Sequence, residues 1–132
     1  QKLLSVVLDG RSLESGDYLL DDKNLTIPNP PAKLTLEVTS QINPSANTAL
    51  EGLFLSSGMF CTQCEPEGFR RITYFIDRPD NLSVFTVRIE ADKEQYPVLL
   101  SNGNRIAGGD LAGGRHFAVS SHFSNCRNSQ SV

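Results

Sequence analysis

The sequence predicts an all-β chain, an antiparallel β-sandwich or a similarly layered sheet. Short apolar stretches recur between turn signals, several of them alternate with period two, and few have the length or 3.6-residue period of a helix. The first strand runs from Leu3 to Leu8 and is closed by Asp9-Gly10, a hairpin dipeptide whose glycine tolerates positive φ. Tyr18 to Leu20 and Leu25 to Ile27 flank the polar Asp21-Asp22-Lys23-Asn24 and form a second hairpin. Pro28, Pro30 and Pro31 then stop any ladder, because proline has no amide hydrogen to donate.

From Lys33 onward, Leu34, Leu36 and Val38, continued by Ser40 and Ile42, fall on one face, while Thr35, Glu37, Thr39 and Gln41 fall on the other. That is the alternation of a half-buried strand. One segment breaks the pattern: between Gly68 and Phe75, the i, i+3 spacing of Phe69, Ile72 and Phe75 predicts one or two helical turns. They end at Asp77-Arg78-Pro79-Asp80, since the residue before a proline is pushed out of the α region. Phe85, Val87 and Ile89 then alternate with Thr86, Arg88 and Glu90 in another strand. Tyr96 to Ser101 and Arg115 to Val119 are predicted strands, with turns at Asn102-Gly103-Asn104 and Gly108-Gly109. From Ser120 the residues are mostly small and polar, interrupted by Phe123, Cys126 and Val132, and a frayed tail is expected over 120–132.

The chain has 132 residues, with 12 basic against 15 acidic side chains, a net charge of -3 and 39% hydrophobic residues. That suits one soluble domain with a packed core. No basic excess exists to attract a phosphate backbone, which argues against nucleic acid as a partner. The longest apolar runs, Val6-Val7-Leu8 and Val98-Leu99-Leu100, are far below the ~20 residues of a membrane span. The apolar start from Gln1 is closed by Asp9-Gly10 too early for a secretory signal, and the chain reads as an excerpt. Three cysteines cannot all pair within it, so a reducing compartment is the simpler assumption.

Cys61-Thr62-Gln63-Cys64 is the most conspicuous motif, open to a redox pair or half of a zinc site. The redox reading wants a strand, the motif and then a helix, and Pro66 with its antiparallel surroundings fits that poorly. For zinc, His116, His122 and Cys126 are the further ligands, and Cys61, Cys64, His122 and Cys126 form a Cys3His set. The plainer reading is two half-buried thiols packed as small apolar groups. Glu65 and Glu67 stand near Arg70 and Arg71, where residue types favour surface charge pairs worth about 0–1 kcal/mol. The sharper reading has Pro66 hold Glu65 extended, beside the Gln63 amide, as an acceptor for a cationic amine. Charge-assisted hydrogen bonds of that kind contribute about 1.5–3 kcal/mol each. His116 has no acid or nucleophile at a recognisable spacing and reads as a strand histidine, and no H-E-x-x-H occurs.

Asn47-Thr48-Ala49-Leu50-Glu51-Gly52-Leu53, followed by the run from Met59 through Cys61-Thr62-Gln63-Cys64-Glu65-Pro66-Glu67-Gly68-Phe69-Arg70-Arg71 to Tyr74, resembles the N-terminal domain of the aminopeptidase N family. The branch is that of the bacterial and plant-type alanyl aminopeptidases among the zinc gluzincins. Asp77 to Asp80, Phe85 to Lys93, Tyr96-Pro97 and Leu99 to Asn104 continue it in register, and Gly113-Gly114-Arg115-His116 is the last clear match within a span of about Leu3 to Ala118.

The resemblance implies a saddle-shaped β domain laid against a thermolysin-like catalytic domain, whose single zinc is held by H-E-x-x-H and a downstream Glu. Family members release single residues from peptide N-termini. It further implies that Glu65 binds the substrate α-amine and that Gln63 shapes the pocket for the first residue, which overrides the charge-pair reading of Glu65. Pro66 replaces an alanine of many members, and the text from Ser121 to Cys126 departs from the family's acidic-aromatic continuation.

Residues 1–119 are therefore expected to form a partial N-terminal β domain and 120–132 a divergent tail, from a truncated gene model, a frameshift or an alternative transcript end. The expected function is that of a non-catalytic fragment of a zinc aminopeptidase, contributing the α-amine anchor through Gln63 and Glu65. It has no catalytic residue, metal ligand or cofactor of its own, zinc belonging to the intact enzyme. Its expected partners are peptide N-termini and a catalytic metallopeptidase domain, without nucleic acid or membrane, in the cytoplasm or a plastid or other organelle. The alternatives are a truncated isoform that binds a protein or peptide without enzymatic activity, and a thiol or zinc module on Cys61 and Cys64.

Overall fold

In a computed structural model, residues 1–65 and 67–124 are described. Turn chemistry sets the first half. Strands β1 (Lys2–Leu8) and β2 (Arg11–Ser12) are joined by Asp9 and Gly10, whose φ values of 49° and 82° are those of a tight hairpin turn. Asp9 is tied across the molecule, because the Thr35 amide donates to its Oδ1 at 2.7 Å while its own amide donates to the Thr35 carbonyl at 2.8 Å. The second hairpin pairs β3 (Leu19–Leu20) with β4 (Leu25–Thr26), and its loop is held by Asp21 Oδ1, which accepts from the Lys23 and Asn24 amides at 2.7 Å each. Strand β5 (Leu36–Gln41) runs antiparallel along the other edge of β1 and completes the order β2-β1-β5.

A hairpin that alternation did not single out follows: β6 (Gly52–Ser56) and β7 (Met59–Gln63) turn at Ser57 and Gly58, with φ of 49° and 82°. The last sheet has the order β8-β10-β9, built from β8 (Ser83–Asp92), β9 (Asn104–Asp110) and β10 (Arg115–Ser124). Every strand pair is antiparallel, and the class is the all-β one that the sequence predicts. Among the described residues no helix is long and apolar enough to cross a membrane.

Four local expectations change. The helical segment shrinks to one 3₁₀ turn, Phe69–Arg71, because the aromatic residues satisfy each other in space. Phe69 and Phe75 meet edge-on at 5.4 Å, and both pack on Phe85, at 6.0 and 5.4 Å. Tyr96 to Ser101 joins no ladder; Pro97 lacks a donor, and residues 97–101 cross over β9 and β10 as one wall of a cavity of about 340 Å³. Gly108 and Gly109 lie inside β9 rather than in a turn, since a bare Cα at Gly108 leaves room for the Arg105 guanidinium to fold across the strand. The chain turns instead at Ala112–Gly114.

The fraying expected from Ser120 is also displaced. Ser120 through Ser124 continue β10 opposite Val87 through Ser83, and Ser120 is buried. The ladder to β8 holds all five, and Ser120 and Ser121 pair with β9 as well, so apolar burial is not required of each one. Residues 125–132 lie outside the described residues.

The core is thinner than composition suggests. Val6 is the largest side chain with under 2% exposure, whereas 17 large apolar side chains of the described residues are exposed. The chain presents 9481 Å² of surface, against about 6,900 Å² for a compact monomer of 14.5 kDa.

Candidate functional site

Strand β7 delivers Gln63 to the mouth of a tight loop. The Gln63 side-chain amide donates to the Glu65 carbonyl at 2.8 Å, and the Gly68 amide donates to the Cys64 carbonyl at the same distance, closing the turn. Cys64 lies buried beneath it. Gly68 is required by close approach: a Cβ there would stand 2.8 Å from the Cys64 Cα, backbone that has no room to retreat. Glu67 takes φ of 61°, a left-handed conformation that turns the chain back toward Phe69.

The charges around this loop are sorted by partner. Asp77 is buried and accepts from the Arg70 amide at 3.0 Å and from Arg70 Nε at 3.4 Å, while Arg70 Nη2 donates to the Asp77 carbonyl at 2.7 Å. Arg70 also lies 3.4 Å from Glu67, and Arg71 reaches Glu51 at 2.6 Å. The charge-pair reading thus holds for Glu67, with Glu51 taking the second arginine. Both arginines of the motif are engaged. The exposed Glu65 carboxylate meets no cation among the described residues.

The 3₁₀ turn also joins the sheets that surround the loop. Ser40 Oγ of β5 donates to the Ile72 carbonyl at 3.4 Å, and Phe69 packs on Phe85 of β8. Asn47 Nδ2 donates to the carbonyls of Glu51 and Leu53 at 2.7 and 2.9 Å, clipping the chain as it enters β6. Asp77 is the residue that sequence reasoning missed. An acid seven positions beyond its arginine carries no periodic signal, and only the reversal of the chain after Phe75 brings the two together.

The cysteines do not form a redox pair with one another. Cys61 lies in extended β7 and Cys64 one residue past its end, so their Cα atoms stand about 10 Å apart at about 3.3 Å per residue, beyond the ~7 Å that a disulfide spans. His116 is a strand histidine with Nε2 at 2.7 Å from the Tyr96 carbonyl. His122 stacks on Phe85 with ring centroids 5.1 Å apart, and Cys126 lies outside the described residues. Among the described residues no three of His, Cys, Asp or Glu converge as metal ligands, so they do not fit zinc.

Fold and loop together define a class: an antiparallel β domain that presents a carboxylate from a braced surface loop. Residues 12–127 match the Peptidase M1 N-terminal domain family, and the chain belongs to that family. It is 57% identical over 117 residues to aminopeptidase N of Caulobacter vibrioides, a match covering 89% of this chain and 13% of the relative. It is 59% identical over 93 residues to aminopeptidase N of Escherichia coli, covering 70% of this chain and 11% of the relative. In structure it is similar to aminopeptidase A of Legionella pneumophila, solved in complex with aspartic acid, with a TM-score of 0.90, 35% identity, and 96% of this chain and 15% of that one covered. The chain therefore spans between about one ninth and one seventh of the length of these relatives, as their N-terminal domain.

Proposed function

We propose that this chain supplies the substrate α-amine anchor of a zinc-dependent aminopeptidase, with Glu65 accepting the ammonium group and Gln63 fixing the loop and shaping the pocket for the first residue. The observation that carries the reading is the unmatched Glu65 carboxylate on a loop whose neighbouring arginines are already neutralised. A cation arriving from outside meets an acceptor that no cation of the described residues competes for. The Legionella relative was solved with an amino acid, a ligand class that carries such an amine. In this reading the zinc, the activated water and most of the side-chain pocket belong to a catalytic metallopeptidase domain, and peptide N-termini are the substrates.

Exposed Leu55, Met59 and Phe60 lie at the turn end of the β6–β7 hairpin whose other end carries Gln63, and suit that domain's approach. In the full-length enzyme, Glu65→Gln lowers kcat/KM for an alanyl arylamide by about 10–150-fold, the equivalent of one charge-assisted hydrogen bond. An unchanged kcat/KM overturns the assignment. The 132-residue chain alone is inactive on the same substrate; zinc-dependent hydrolysis by it would overturn that part.

A further inference from the structure

Strand β8 pairs with β10 on one side, and among the described residues no other strand lies along its second edge. Among the described residues no backbone group from Ser83 to Ala91 bonds a loop, so alternate N–H and C=O groups point outward without a ladder partner. Natural edges are blunted by charged side chains, lysine above all, by proline, bulges or short length, or by a covering helix or loop. β8 has ten residues, contains neither proline nor lysine, and keeps an unshifted register with β10 throughout, and its charges, Arg88, Glu90 and Asp92, all stand on one face.

We propose that this edge pairs with the same edge of a second copy of the chain, antiparallel about a two-fold axis through Ile89, to give a continuous sheet β9-β10-β8-β8-β10-β9. The side-chain order selects that register. Arg88 and Glu90 lie on one face of β8 and already pair at 2.6 Å. With Ile89 opposite Ile89, each Arg88 faces the other copy's Glu90, and a four-charge network forms across the axis. A slip of two residues either way sets Arg88 against Arg88 or Glu90 against Glu90, and like charges directly opposite are destabilising. On the other face, half-buried Val87, Ile89 and Ala91 form an apolar row that continues from one copy into the next.

Sedimentation equilibrium of the 132-residue chain tests this, with Arg88→Glu, Glu90→Arg and an equimolar mixture of the two variants. The wild type dimerises, and each reversal weakens self-association at least about tenfold by placing like charges across the axis. The mixture recovers the dimer, because one variant then carries acids at both positions and the other carries arginines at both, so every pair across the axis is again of opposite sign. No contact within one chain produces that rescue. A wild type monomeric across the concentration series, reversals without effect, or a mixture no heavier than its components would each overturn the proposal. If a reversal unfolds the chain by circular dichroism, amide exchange on the wild type decides: protection across Thr86–Asp92 that rises with chain concentration supports the dimer, and concentration-independent exchange overturns it. Protection that appears only with an added extended peptide assigns the edge to a peptide and overturns it as well.

Discussion

The loop from Cys64 to Asp77 and the sheet β8-β10-β9 lie against each other through Phe69, Phe75 and Phe85, yet they are held by different physics. The sheet rests on ladder bonds and on a face that alternates half-buried and exposed residues along the whole of β8. The loop has almost no ladder. It rests on a buried carboxylate, Asp77, that gathers the amide and guanidinium of Arg70, and on two short bonds around Cys64 and Glu65. Regular pairing tolerates small polar residues such as Ser120, whereas a loop built on a few polar contacts depends on each of them. The lesson is that the part of the molecule bearing the candidate anchor is the part whose stability is concentrated in the fewest groups.

Loop and sheet give way together at the element they share. Phe85→Ala removes the ring on which Phe69, Phe75 and His122 all pack. A loss of about 3 kcal/mol is expected, read as a lower urea midpoint, with hydrogen exchange rising in loop and sheet alike. Asp77→Ala separates the two regions. It leaves Arg70 without its buried acceptor at a cost of about 2 kcal/mol, and exchange should rise at the amides of Gly68 and Ile72 while β10 stays protected. Equal loosening of both regions would show that the loop is not an independent unit.

Acid sharpens the contrast from the sheet side. At the rim of β9, the Lys93 ammonium donates to both oxygens of Asp110 at 2.7 and 2.8 Å, and this hydrogen bond, with the attraction of the same charge, holds the Asp110 carboxyl below its ordinary 3.8. A depressed carboxylate contributes stability that is fully present above the unfolded value and is lost as pH falls through the folded one. The expected result is a small decline in thermal midpoint below about pH 4 that Asp110→Asn removes; an identical pH profile in the variant would discount the pair. The smallest effect belongs to Glu65→Gln, which should leave the unfolding free energy from urea titration within about 0.5 kcal/mol of wild type, since its carboxylate makes no ion pair among the described residues.

Much of the sheet was legible beforehand because its signals are local. Asp9-Gly10 announces a hairpin through the positive φ both residues must adopt, and the alternation around Val87 declares one face of β8. β9 was not legible. Its glycines read as a turn, and only the Arg105 side chain folded over Gly108 shows why they sit in a strand. Ser120 to Ser124 read as a tail for a similar reason, since their order comes from strands brought in from distant sequence.

The candidate site divides in the same way. Gln63 and Glu65 were singled out from the motif they stand in, and the loop's turn residues follow from Glu67 and Gly68 themselves. Which acids would be neutralised was a tertiary matter, decided when Glu51 took Arg71 and Asp77 took Arg70. By itself the sequence determined the strand class and the first two hairpin turns, because backbone preference and side-chain period act within a few residues, while Gln63 and Glu65 were marked by the resemblance of their motif to a family. Only the tertiary structure decided which carboxylate of the described residues lacks an ion pair, how thin the core is and in what order the strands lie, because ion pairs, burial and ladder order depend on chain segments that meet only after folding.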